Sequence, residues 1–321
     1  MKLGLVTIGL GGALAIGLVA WFGVRSISHE VLEAAWVIPL TSALLCLQLF
    51  LSAVAWRLVM GEDRPRLGRY VRVRWIREAV NSLLPVAQIG GNLVGIRMLT
   101  QRGLRGALAG AGTTLDLTIE TATQFLFTLA GFGVLAQIGA DRSWAPWVEW
   151  ALGSMALALA GFVIAQRAGM LRLIEWLARR LNGFFPGLSL DAVYGLHREL
   201  MRLHGDGSAV AKAALLHMLA WVLGVGETWL ALTAMGRPTS LSEAFVIESL
   251  GMAARSAGFV VPGALGVQEA GFIVVCGLFG ISPDAAIALS MVKRARELTV
   301  GVPGLVAWQW SEGKRLLQQR T

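Results

Sequence analysis

Asp116 and Glu120 stand four residues apart in an otherwise apolar run, so a helix there carries both carboxylates on one face. Thr113 and Gln124 extend that face. Further along, Glu227 lies in a second apolar run with His217 before it. Glu248, Arg255 and Glu269 surround a Pro-Gly pair, and Lys293, Arg294, Arg296 and Glu297 crowd into the last apolar stretch. Ionisable groups in hydrocarbon are costly and face either a partner or a water-filled cavity. Any single pair reads as well as an internal ion pair: Arg255 with Glu248, or Glu297 with Lys293 or Arg294 at helical spacing. His217 alone reads as a packed core histidine. Taken together, so many acids and bases in one membrane core point to a polar, hydrated cavity. There the cations would hold phosphate or hydroxyl-rich groups and the acids would relay protons.

Enzyme signatures are thin. The chain has no Gly-x-Ser-x-Gly elbow, no His-Glu-x-x-His and no P-loop, and no His/Cys group has metal-ligand spacing. Asp116-Leu-Thr-Ile-Glu120 lacks the doubled acid of a Mg²⁺-diphosphate motif. The expectation is a protein that is not an enzyme, with no catalytic residue, metal or cofactor.

The elements that must carry these residues are membrane helices. Of 321 residues, 55% are hydrophobic and only 15% charged, with mean hydropathy +0.64. Soluble domains run near ~25% charged, and apolar runs of ~20 residues cross a bilayer core. The net charge of +8 reads as arginine in cytoplasmic loops facing anionic lipid, not as a nucleic-acid surface. Cys46 and Cys276 both lie in apolar runs, which argues against a disulfide framework. Thirty-nine glycines suit close helix packing in lipid. They permit a homodimer without requiring one.

In chain order, a retained first helix is expected over 3–24 and a second span over 36–60. The basic run Arg64, Arg66, Arg69, Arg72, Arg74 and Arg77 is expected on the cytoplasmic side. The stretch 76–99 is apolar but interrupted by Asn81, Pro85, Gln88, Gly90, Gly91 and Asn92, and each arm is too short to span. It reads as a re-entrant hairpin. Spans follow over 106–138 and 147–165, then an amphipathic surface segment over 166–206 and a span over 209–235. A second interrupted stretch covers 241–280 around Pro262, Gly263 and Gly266, and the last span is 283–310. The predicted fold is thus all-α: a single integral membrane domain over 1–321, with about six full spans plus two broken elements. The expected location is a bacterial inner membrane, crossed several times, and charge asymmetry puts both termini on the cytoplasmic side.

Element order in 1–140 is repeated in 147–310 from the opposite side of the membrane, which is the plan of an inverted-topology repeat. A broken helix exposes backbone N–H groups and a positive dipole end that attract anions.

Asn81-Ser82-Leu83-Leu84-Pro85, then Gly90-Gly91 and Arg97, resembles the first signature of the lysylphosphatidylglycerol synthase transmembrane (flippase-like) family. Val261-Pro262-Gly263-Ala264-Leu265-Gly266-Val267-Gln268-Glu269 resembles its second, a Pro-Gly-x-x-Gly-x-x-Glu pattern. The likeness covers roughly residues 36–310. Within the family, Arg72-Val-Arg74-Trp-Ile-Arg77-Glu78-Ala-Val-Asn81 is similar to the hopanoid-biosynthesis-associated, HpnL-type members. The resemblance implies a lipid-handling or lipid-flipping role in the inner membrane. The aminoacyltransferase domain of larger members has no counterpart up to Thr321, so synthase activity does not carry over.

The expected function is therefore lipid transfer between leaflets. The substrate would be a phospholipid, a hopanoid or glycosylated hopanoid precursor, or a lipid-linked phosphate. The path is expected at Asn81, Pro85, Gly90, Gly91, Arg97, Asp116, Glu120, Glu248, Arg255, Pro262, Gly263, Gly266, Glu269, Lys293, Arg294 and Glu297. Two other readings stand beside it. One is an intramembrane lipid-phosphate enzyme, although 262–269 holds no nucleophile. The other is a non-catalytic scaffold for lipid-modifying enzymes that uses the surface segment.

Overall fold

The computed structural model describes residues 24–61, 65–84, 89–138, 190–258, 261 and 264–318. The expected first span, the 147–165 span and most of the 166–206 segment lie outside them, as do Pro85, Pro262 and Gly263. Ten α-helices and one 3₁₀ turn (Ala35–Val37) make up the described chain, and no strand occurs among the described residues. The helices are α1 Val24–Glu33, α2 Ile38–Val59, α3 Leu67–Leu83, α4 Gly90–Thr100, α5 Gly106–Ile138, α6 Leu190–His204, α7 Gly207–Ala234, α8 Leu241–Ala257, α9 Val267–Gly277 and α10 Pro283–Gln318.

Among the described residues, three stretches are long and apolar enough to cross a bilayer: Ala35–Val59, Gly106–Ile138 and Gly207–Ala234. This is a polytopic all-α membrane protein. Helix α5 is rich in threonine, yet its hydroxyls are satisfied within the helix: Thr113, Thr118, Thr123 and Thr128 each donate to the carbonyl four residues back. The helix therefore presents little unpaired polarity to its apolar surroundings.

Both interrupted stretches have the expected two arms, but the first begins earlier than the sequence pattern indicated. The basic run is not a loop: residues 67–83 form α3, and Arg74 and Arg77 are buried. Tyr70, Val73, Arg74, Arg77 and Val80 recur at helical spacing along one buried stripe, which overrides the loop reading that arginine content favoured. Helix α10 is continuous from Pro283 to Gln318, with Pro303 inside it. Helix α6 packs on α5 with Leu200 and Leu203 buried, so this part of the expected surface segment is docked on the bundle.

The halves share one sequence of elements. A 17-residue helix, an 11-residue helix and a long helix occur as α3, α4, α5 and again as α8, α9, α10. The starts of α4 and α9 differ by 267 − 90 = 177, and those of α5 and α10 by 283 − 106 = 177. Partners are exchanged between the halves: α3 packs on α10, while α8 packs on α5. Helix α2 lies along α7 and joins the two sets.

Candidate functional site

Two charged clusters and a cavity occupy the middle of the bundle. In the first cluster, Arg74 and Arg77 from α3 face Asp116 and Glu120 from α5. Arg77 Nη1 donates to Asp116 Oδ2 at 2.9 Å and its Nη2 to Glu120 Oε2 at 3.2 Å. Arg74 Nη1 donates to Asp116 Oδ2 at 3.3 Å and Glu120 Oε2 at 3.0 Å, and its Nη2 to Glu120 Oε1. His217 of α7 closes the group, its Nε2 lying 3.0 Å from Asp116 Oδ1. The Arg77 guanidinium also stacks over Trp56 at 5.4 Å. Two guanidiniums thus offset two carboxylates, and bidentate geometry makes these strong charge-assisted bonds.

The second cluster is built on α10. Lys293 Nζ donates to Glu248 Oε2 at 2.7 Å, which also accepts from the Thr228 hydroxyl at 2.5 Å. Arg296 Nε approaches Glu227 Oε1 to 2.5 Å without hydrogen-bond alignment, and Lys293 lies 3.6 Å from the same oxygen. Gly224 makes room for Glu248: a Cβ there would sit 2.6 Å from Glu248 Oε1.

A chain of bonds ties α8, α9 and α10 together. Arg255 Nη1 donates to Glu297 Oε1 at 2.5 Å and to Gln268 Oε1 at 2.7 Å. Gln268 Nε2 donates to Ser290 Oγ at 2.8 Å, and Ser290 to Glu269 Oε1 at 2.9 Å. Arg294 Nε reaches the same Glu269 oxygen at 2.7 Å. The other Glu269 oxygen accepts from the Gly266 N–H at 2.7 Å and so caps α9. Gly266 has φ +77°, a conformation suited to glycine.

The first interrupted element closes differently. Asn81 Oδ1 accepts from the Gly91 N–H at 2.8 Å and bridges α3 to α4. A Cβ at Gly91 would lie 2.2 Å from the Arg77 carbonyl oxygen, so only glycine fits this crossing.

A cavity of about 130 Å³ opens between these groups, with room for several waters or one small polar group. Arg74, Arg255 and Arg296 line it, as do Glu78, Glu120, Glu297 and His217. Six of these seven are already paired with one another, with Glu227 or with Asp116. Glu78 accepts from Ser82 Oγ at 3.2 Å and makes no direct ion pair among the described residues, although the charges of Arg74 and Arg255 reach it.

The expected path residues therefore sort into three groups. Glu120, Arg255 and Glu297 face the cavity. Asp116, Glu248, Glu269, Lys293 and Arg294 stand behind it as counter-charges, while Asn81, Gly90, Gly91 and Gly266 shape the broken elements. Arg97 belongs to none of these groups: its side chain is 63% exposed and pairs with Glu312 at 3.2 Å. The internal pairings also differ from the sequence expectation. Arg255 binds Glu297, not Glu248, and Glu248 binds Lys293. Arg74, Glu78 and Arg296 are site residues that the path expectation omitted. Their signal was present as i, i+3 and i, i+4 spacing with the apolar stripes of α3 and α10.

No group of three or more His, Cys, Asp or Glu side chains able to hold a metal occurs among the described residues. Fold and site together define a helical membrane protein with a charged, water-sized cavity inside its bundle. A model of the family described as "Lysylphosphatidylglycerol synthase TM region" matches residues 8–304, and the chain belongs to that family. No curated protein and no solved structure matches it.

Proposed function

We propose that this protein moves a lipid head group across the bacterial inner membrane through the central cavity, and that its role is transport, not catalysis. The observation carrying this reading is the cavity itself: three arginines and three glutamates line a space large enough for several waters inside a bundle of membrane helices. Such a space substitutes for the hydration that a head group loses in hydrocarbon. The matched element order, the 177-residue offset and the exchanged helix partners support an inverted repeat whose broken elements meet at the substrate site. Family membership supports lipid as the substrate class. The resemblance to hopanoid-associated members adds hopanoids and their glycosylated precursors to the phospholipids as candidates. The arginine distribution supports cytoplasmic termini.

Proteoliposomes holding a fluorescent phospholipid or a labelled hopanoid test the proposal. The expected result is rapid access of an outer-leaflet quencher to the whole lipid pool, lost in Glu297→Gln. A folded wild type that leaves the inner-leaflet pool protected for each lipid, with and without a proton gradient, would overturn it.

A further inference from the structure

Outside the cavity, two apolar grooves run along the seam of α2, α3 and α10. One is lined by Phe50, Leu67, Val71 and Trp75, the other by Val302, Pro303, Val306 and Trp310, and both are shallow and open to the surroundings. Arg72 and Ala307 line both, so the grooves share one polar corner. Val306 and Trp310 are exposed on the outer face of α10.

That corner is electropositive. Arg69 and Arg72 lie on α3, and Arg102 lies in the turn after α4. Burial lowers the pKa of Arg102 from its ordinary value, and the like charges of Arg72 and Arg69 lower it further. None of the three arginines has a carboxylate partner among the described residues, unlike Arg105 on Glu199 or Arg97 on Glu312. Three mutually repelling guanidiniums beside an apolar groove form a site for a polyvalent oxyanion carrying hydrocarbon.

The site also borders the cavity. Trp75 lines both the first groove and the cavity. Its indole N–H donates to the Val300 carbonyl of α10 at 2.7 Å, across the seam. Glycines let the helices close here: a Cβ at Gly304 would lie 3.1 Å from Trp75 Nε1, and one at Gly301 2.8 Å from Leu83. Trp75 thus stands between groove and cavity, with its indole fixed by a hydrogen bond to α10.

We infer that the seam of α2, α3 and α10 binds a phosphate-bearing lipid of the surrounding bilayer, with its phosphate at Arg69, Arg72 and Arg102 and its acyl chains in the two grooves. From there the head group enters the cavity past Trp75. The binding site stands on its own geometry; the delivery step rests on the transport reading.

Purified protein in nanodiscs, probed by electron spin resonance, tests the site. Spin-labelled phosphatidylglycerol is compared with spin-labelled diacylglycerol of the same chains, which lacks the phosphate. The wild type is expected to retain the phosphate-bearing lipid preferentially, by about fivefold per contributing arginine. The preference should collapse in Arg69→Gln/Arg72→Gln/Arg102→Gln and persist in Arg97→Gln. Equal retention of both lipids by the wild type, or a preference that survives the triple substitution, overturns the site. So does a preference reproduced by free inorganic phosphate alone, or one seen only in a dimer sealed across α10. Scrambling of the phosphate-bearing lipid should slow in the triple variant and be restored in part by Trp75→Ala. Unchanged scrambling with lost binding overturns delivery. A wild type that scrambles nothing sinks the transport reading, and the binding comparison still decides the site.

Discussion

Glu120 of α5 and Glu297 of α10 occupy equivalent places in the two halves, 177 residues apart (297 − 120), and both line the cavity. Each is clasped by an arginine from the first helix of its own broken element, Arg74 for Glu120 and Arg255 for Glu297. Glu78, one helical turn beyond Arg74, also faces the cavity.

Glu78 is the cavity carboxylate not committed to an ion pair among the described residues, so its removal should separate function from stability. Glu78→Gln is expected to change lipid scrambling several-fold while unfolding shifts by no more than about 0.5 kcal/mol, the range of a substitution that breaks no buried contact. Parallel scrambling and thermal-melt measurements check this. A large stability loss would show that Glu78 holds the bundle together.

Lys293 and Glu248 form a buried pair, and the consequences of breaking it are asymmetric. Lys293→Met alone strands Glu248 and weakens the hold on Glu227. The expected loss is about 3–5 kcal/mol, read as a large fall in detergent-solubilised melting temperature. Lys293→Met with Glu248→Leu should recover most of that loss, because no charge is left uncompensated. A double variant no better than the single one would refute this account.

Gly91→Ala places a methyl group against the Arg77 carbonyl and Asn81 and must force the arms of the first broken element apart. Loss of folded, monodisperse protein is expected. Gly68→Ala is the control: nothing lies within 4 Å of the added methyl, and replacing a helical glycine should stabilise by about 1 kcal/mol. Fluorescence-detected size exclusion after a heat step reads both.

Arg97 pairs with Glu312 at the surface, where such bridges are worth about 0–1 kcal/mol. Arg97→Ala should leave scrambling and melting temperature close to wild type. A transport defect would return Arg97 to the substrate path.

Much of this architecture is legible in the residues. Long, mainly apolar runs mark α2, α5 and α7, and Pro and Gly mark both broken elements, because each signal is local. The cavity is less legible, because pairing is a tertiary event. Glu297 has Lys293 and Arg294 at helical spacing, yet it binds Arg255 from another helix. Arg74 and Arg77 were hidden by their company: a run of six arginines reads as cytoplasmic loop, and only the apolar stripe of Tyr70, Val73 and Val80 betrays a buried helix. Arg97 erred in the other direction, since its place in a family signature suggested the path while its side chain points outward.

Helix α10 sets an order of assembly. Lys293, Arg294, Arg296 and Glu297 fall within five consecutive positions, and each basic charge at a helix centre resists entry into the bilayer by about 2.5–3.5 kcal/mol. Their counter-charges Glu227, Glu248, Glu269 and Arg255 all reside on α7, α8 and α9, which the ribosome delivers first. The last helix is thus poorly suited to leave the insertion machinery alone. It enters lipid as part of a group, and the preceding helices serve as its template during biogenesis.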